Sequence, residues 1–249
     1  MRKQLRFNKK QVDPWRLEYF ATMYENSGKL STEKLQTLLA LSFLGFGLQR
    51  SRSAVVKTEV SFESEKSLCI EDVRLDRDLY AVWYGIKTSK GDPFAKRMGK
   101  DRKDWVPVAG CRDAAHPIDI VALLVKFCAK MGYKIGADGR LRSPQGPKTP
   151  FFQRIEAGGK PSGRPLTYNR LLQDMRDEQR ALSTIYPECA DSYFGLHSFR
   201  RFGATLAKTR GIPDDLIQLM GRWASLTFQR YFIFDASELV DINRQLLQG

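Results

Sequence analysis

The chain has 249 residues, 42% of them hydrophobic and 11% aromatic, enough for one large domain or two small ones with a substantial core. Its formal charge of +13 points to a polyanionic partner. Four cysteines without a CxxC pair and only two histidines argue against a zinc site, and no apolar run is long enough to span a membrane. The cysteines read as reduced thiols in an intracellular protein, nuclear if the host is eukaryotic.

Residues 1–30 form a basic N-terminal arm, with Arg2, Lys3, Arg6, Lys9, Lys10 and Arg16 set against Asp13 over its first 16 positions. Within it Pro14 opens a short amphipathic helix with Trp15, Tyr19, Phe20 and Met23 on its apolar face. Ser31 or Thr32 caps a stronger helix carrying Leu35, Leu38, Leu39, Leu41 and Phe43, which ends near Gly45 and Gly47. Ala54–Phe62, Ser67–Val73, Leu79–Lys87 and Asp104–Val108 read as strands of a small antiparallel sheet. The segment 87–103 is the second basic cluster, with Lys87, Lys90, Lys96, Arg97, Lys100, Arg102 and Lys103 against Asp92 and Asp101. It forms a loop between the last two strands. A helix follows His116 and Pro117 through Val121, Leu124 and Phe127. Residues 136–165, rich in Gly, Pro and Lys, read as a mobile loop around Phe151 and Phe152. Thr167 caps the next helix, with Leu171, Leu172 and Met175. Beyond Pro187 come helices at 197–209, 213–220 and about 225–233, and a last one at about 236–247.

The third basic cluster is GLHSFRRFGATLAKTRGIPDDLIQLMGRWASLTFQRY, from Gly195 to Tyr231. His197 and Arg200 are three apart, so they share one side of a helix start, where backbone N–H groups also favour an anion. An imidazole and a guanidinium so placed can clamp a phosphate, and a nearby phenol can attack it. HSFRR, then GATLA, then GIPDDLIQLMGRW, then a tyrosine eight residues past the tryptophan, resembles the catalytic region of the tyrosine recombinases (the phage-integrase family), most closely the Crypton-type enzymes of eukaryotic mobile elements. GIKTSKGDPF resembles the segment that bears the family's catalytic lysine. SFLGFGLQRSRSAVVKTEVSF resembles the one that bears its first catalytic arginine.

The resemblance implies an α+β, mostly helical catalytic domain over 31–249, with a small antiparallel sheet and a basic hairpin loop. It implies site-specific strand transfer on double-stranded DNA through a 3′-phosphotyrosine, without cofactor or metal, in a tetramer assembled on DNA. Tyr231 matches the nucleophile, Arg200 the second arginine, His197 the histidine before it, and Trp223 the position that is histidine or tryptophan. Lys90 fits the lysine best, with Lys87 three residues away. Arg50 or Arg52 matches the first arginine. Lys87, Lys96, Arg97, Arg201, Arg222 and Arg230 are the expected DNA contacts. Two departures stand out. The acid usual shortly after the first arginine is replaced by Ser51, Ser53 and Ala54. Only about 30 residues precede the catalytic-type helices, as in a catalytic domain with a vestigial arm or a piece of a longer protein. These departures keep two alternatives in view: a DNA-binding module without catalysis, and a topoisomerase of type IB that relaxes DNA without pairing two sites.

Overall fold

The computed structural model describes residues 12–87, 104–113 and 115–223. Its centre is a helix buried on nearly every side. Helix α1 (Leu17–Glu25) precedes α2 (Thr32–Phe46), which starts at Ser31, whose hydroxyl accepts from Lys34 N at 3.3 Å. Leu35, Leu38, Leu39, Leu41, Phe43 and Leu44 of α2 are all buried, as are Gln36, Thr37 and Ser42. A helix apolar around most of its circumference belongs inside a core. Its buried amide is satisfied: Gln36 Nε2 donates to Gln153 O at 2.7 Å, and Gln153 N donates to Gln36 Oε1 at 2.8 Å.

The described part of the N-terminal arm belongs to the same core. Trp15 is buried against Phe199 and Phe194, with ring centroids 4.7 and 4.9 Å away. Tyr19 and Phe20 are fully buried on α1.

A short helix, α3 (Ser51–Ala54), leads to the three-stranded antiparallel sheet of β1 (Val73–Asp76), β2 (Ala81–Ile86) and β3 (Asp104–Ala109), in that order. Residues 88–103 join β2 to β3, as the sequence suggests. Val73, Leu75, Val82, Tyr84, Ile86, Val106 and Val108 fill the inner face. Helix α4 (Ile120–Met131) begins at Asp119, whose carboxylate accepts from Val121 N and Ala122 N, and ends at Gly132 with φ 70°.

Three expectations are corrected. Ala54–Phe62 is not a strand: beyond α3 it holds one bridge, Val56 to Thr167, and a 3₁₀ turn at Glu59–Ser61. Ala54 and Val55 are buried at its start, but Val60 is 95% exposed, so no alternating apolar face runs through the segment. Ser67–Val73 is not a strand before Val73: Ile70–Asp72 is a 3₁₀ turn, where Asp72 Oδ2 accepts from Cys69 N at 2.7 Å and closes the chain locally. Residues 136–165 are structured, not a loose loop. They complete one hairpin, β4 (Lys134–Ile135) with β5 (Leu141–Arg142), and contain a second, β6 (Gln153–Ile155) with β7 (Pro161–Pro165). Phe151 and Phe152 anchor the second in the core, and Leu75 N donates to Gly139 O at 2.8 Å, tying the first to the edge of β1.

Helix α5 (Tyr168–Leu182) starts at Thr167, as expected, with the Thr167 hydroxyl accepting from Arg170 N. A short α6 (Glu188–Asp191) leads to α7 (Leu196–Thr209) and α8 (Asp214–Gly221). α7 lies against α2 at a glycine crossing: a Cβ on Gly203 would sit 2.0 Å from Gly45 O. The helices expected at 225–233 and 236–247 lie outside the described residues. Among the described residues, no helix is long and apolar enough to cross a membrane.

Candidate active site

α7 carries HSFRR in its first turn, stabilised at its start by Gly195 N donating to Ser198 Oγ at 3.1 Å. Leu196, Phe199 and Phe202 face the core. Arg200 is held inside the protein, 2% exposed. Its Nη2 donates to Gly221 O at 2.6 Å, and its guanidinium lies 4.0 Å from the centroid of the Trp223 ring. A π-face and a carbonyl both stabilise a cation withdrawn from water, which otherwise costs several kcal/mol.

The end of α8 is shaped to present that ring. Arg222 takes the left-handed conformation, φ 54° and ψ 46°, and turns the chain back. Trp223 N donates to Gln218 O at 3.0 Å, and Gln218 Nε2 returns a bond to Trp223 O at 3.0 Å. The indole folds over Gly221, where a Cβ would lie 1.5 Å from the ring, so position 221 has room only for glycine. Trp223 packs with Leu48, Ala204, Ala207 and Ile217 in a small second core.

Leu48 begins the third segment. It is a buried non-glycine residue at φ 53° and redirects the chain after α2. Gln49 Nε2 then donates to Met220 O at 3.2 Å, which ties the residue before Arg50 to the end of α8. Arg50 emerges as the residue preceding α3.

His197 registers how close these parts are. Its pKa is pushed down to about 4, first by loss of water around the ring and then by the charges of Arg200, Arg201 and Arg50. His197 is an exposed residue, and the three cations around it disfavour a further positive charge there. They place Arg50 within electrostatic reach of His197. Arg52 is not among them. It lines a shallow recess with Val55, Phe62, Leu68 and Phe152. Of the two arginines left open by the sequence, Arg50 is the one that joins the cluster. Ser53, near where an acid would stand, donates its backbone N–H to Arg50 O at 2.8 Å.

Lys87, at the end of β2, turns inward. Its ammonium lies 2.6 Å from Asp72 Oδ2 and 3.4 Å from Glu71 Oε1, and it donates to Ser64 O at 2.7 Å. The side chain is 9% exposed and that of Asp72 is fully buried.

No protein-family model matches the chain, and no curated protein sequence matches it. Solved structures do. The XerH site-specific recombinase bound to a palindromic difH substrate aligns with a TM-score of 0.54 at 20% identity over 92% of this chain. The XerA recombinase aligns with 0.52 at 13% identity over 94%, and the Tn1549 transposon integrase in complex with a circular-intermediate DNA with 0.53 at 11% identity over 96%. The fold is that of a tyrosine-recombinase catalytic domain. The chain spans 51% of the XerH chain, 66% of the XerA chain and 68% of the integrase fragment.

Within this recombinase fold, the residues singled out by sequence divide into three groups. Arg200, Trp223, His197 and Arg50 come together. Arg201 and Lys87 are committed inward: Arg201 is 4% exposed and its Nη1 donates to Val12 O at 2.9 Å, while Lys87 holds Asp72. Tyr231, Lys90, Lys96, Arg97 and Arg230 lie outside the described residues. Two positions that matter to the geometry escaped the sequence reading, Gly203 and Asp72. A glycine inside a helix otherwise rich in good helix formers was the available signal for Gly203.

Proposed function

We propose that the chain is a DNA strand-transfer enzyme acting through a 3′-phosphotyrosine. The observation that carries this reading is the Arg200 guanidinium, fixed on the Trp223 ring with His197 and Arg50 around it. In this reading Arg50 and Arg200 stabilise the charge that grows on the scissile phosphate. The Tyr231 phenol, with a reference pKa near ~10, attacks phosphorus as its proton leaves. The phosphorus–O5′ bond breaks and Lys90 supplies the proton that the leaving 5′ oxygen gains. A second DNA 5′-hydroxyl reverses the step, so no cofactor is consumed. His197, neutral at pH 7 in the free protein, contributes one hydrogen bond to a phosphate oxygen, and the phosphate's charge draws its pKa upward.

Lys96, Arg97, Arg222 and Arg230 contact the duplex backbone in the same reading. Arg201 and Lys87 support the contacts from behind. Four copies assemble on paired sites inside the cell, in the nucleus of a eukaryotic host. The Crypton-type subclass rests on the run from His197 to Tyr231. A DNA-binding module without catalysis is the second reading, favoured by Ser53 in place of an acid and by Lys87 being bound to Asp72. Selection of a binding site from random DNA, followed by a nicked suicide substrate built on it, decides between them. A denaturation-resistant protein–DNA adduct supports the enzyme. Tight site-specific binding with no adduct supports the module.

A further inference from the structure

The outer face of the sheet carries an aromatic and arginine stripe that strand transfer does not use. Side chains alternate along each strand, so Arg74, Trp83, Trp105 and Pro107 point away from the core while Val73, Val82, Tyr84, Val106 and Val108 point into it. Arg74 pairs across with Trp83, and Trp105 stands opposite Gly85, which adds no side chain of its own. The Arg74 guanidinium spans both rings, 5.4 Å from the centroid of Trp83 and 4.7 Å from that of Trp105. Trp105 is nevertheless 36% exposed. One of its faces is braced by a cation and the ring is still open to a partner.

The surroundings indicate the charge of that partner. Arg140 bridges to Arg74 along the edge of β1, and Arg142 follows on the same hairpin. Asp76, the acid on the outer face of β1, is committed to its own turn, where Oδ1 accepts from Asp78 N and Leu79 N. Asp138 is the acid near Arg140 and Arg142, at 3.9 Å from each. The sequence that joins β2 to β3, next to Trp105, has six basic residues between 88 and 103 against two acids. An exposed, braced aromatic ring beside a cationic edge suits a stacked base with its phosphates on the arginines, because every base has a π-face and stacking needs no sequence.

We propose that Trp105, braced by Arg74 and Trp83, is a stacking site for bases of an unpaired DNA strand. It is a binding site separate from the Arg200 cluster and does not depend on cleavage. A strand opened next to a duplex site is its ligand.

The test uses the full chain, a fluorescein-labelled dT15 and a 30-base-pair duplex. Anisotropy gives both affinities, and tryptophan emission reports stacking, since Trp15 and Trp223 are buried. The expected result is quenching of tryptophan by unlabelled dT15, and a loss of about tenfold in dT15 affinity in Trp105→Ala. Duplex affinity stays within about twofold. Trp105→Phe keeps a ring and retains most of the dT15 affinity, which separates stacking from damage to the sheet. Arg74→Gln lowers dT15 affinity and its salt dependence. Equal dT15 affinity in the native chain and Trp105→Ala overturns the proposal. So does a Trp105→Ala effect on self-association measured by sedimentation with dT15 binding unchanged, which assigns the face to a second copy. Retained dT15 binding with no duplex adduct leaves this site standing and removes the strand-transfer reading alone.

Discussion

The crossing of α2, which leads into Arg50, and α7, which carries Arg200, depends on one missing methyl group. A Cβ at Gly203 falls 2.0 Å from Gly45 O and 2.5 Å from Leu48 Cδ2. Carbon and carbonyl oxygen rest at about 3.3 Å, so Gly203→Ala must part the helices by about 1.3 Å at that point. The clash is with backbone, which has no rotamer to change, so its cost lies near the upper end of overpacking, about 3 kcal/mol. Alanine returns about 1 kcal/mol of helix propensity, leaving a net loss of about 2 kcal/mol. Gly45→Ala is the control, since its Cβ meets the Phe202 and Phe20 rings at 3.3 and 3.4 Å, contacts that side chains absorb. It should be near neutral. Arg200 lies one turn before Gly203, and in the proposed strand-transfer reading a shift on the order of 1 Å in such a group costs about 100-fold in rate. Urea unfolding measures the first effect and adduct formation on the suicide substrate the second. Equal stability and rate in the two variants would refute the reasoning that this crossing positions the arginines.

Three other outcomes follow from the site. Lys90→Ala should slow cleavage strongly and recover on a substrate with a 5′-thiol leaving group, whereas Lys87→Met, which strands the buried Asp72, should chiefly cost stability, about 3 kcal/mol; thiol rescue of Lys87→Met and not of Lys90→Ala would exchange the two roles. His197 should titrate near 4 by NMR in the free chain and rise with bound DNA. Because the unfolded chain binds that proton more tightly, at an ordinary value near ~6.5, its contribution to stability is present above that value and lost as pH falls toward 4, and His197→Gln should flatten this slope in pH-dependent unfolding. A free-chain midpoint at or above the ordinary histidine value would contradict the cluster. Deleting 236–249, which in sequence places Leu239, Ile242, Leu246 and Leu247 on one helical face, should leave folding and single-site binding intact and remove higher-order complexes on DNA; an unfolded truncation would show that the segment belongs to its own domain's core.

Much of the helical framework was legible because caps and periodicity agree: Ser31 before α2 and Thr167 before α5 read the same in both views. The sheet read well where strands bury one face, at Ala81–Ile86 and Asp104–Ala109. It misread where β-branched residues are exposed, as at Val60, or where one carboxylate closes a turn, as Asp72 does. Hairpins at 134–165 were hidden because their hold on the core is non-local: Phe151, Phe152 and a bond from Leu75 to Gly139. In the site, the HSFRR run and Trp223 stood out in the sequence through their resemblance to a known catalytic region, and the structure places Arg200 on the Trp223 ring. Arg50 and Arg52 stand two residues apart around the start of α3, and sequence spacing carries no signal that only Arg50 acts electrostatically on His197.

The most direct test of the account is the position of the covalent bond. The adduct formed on a suicide substrate, digested with nuclease and trypsin, is read by mass spectrometry. The expected result is a nucleotide remnant on the peptide 231–244, YFIFDASELVDINR, at Tyr231, absent from Tyr231→Phe. A remnant on any other tyrosine, or an undiminished adduct in Tyr231→Phe, would contradict the account.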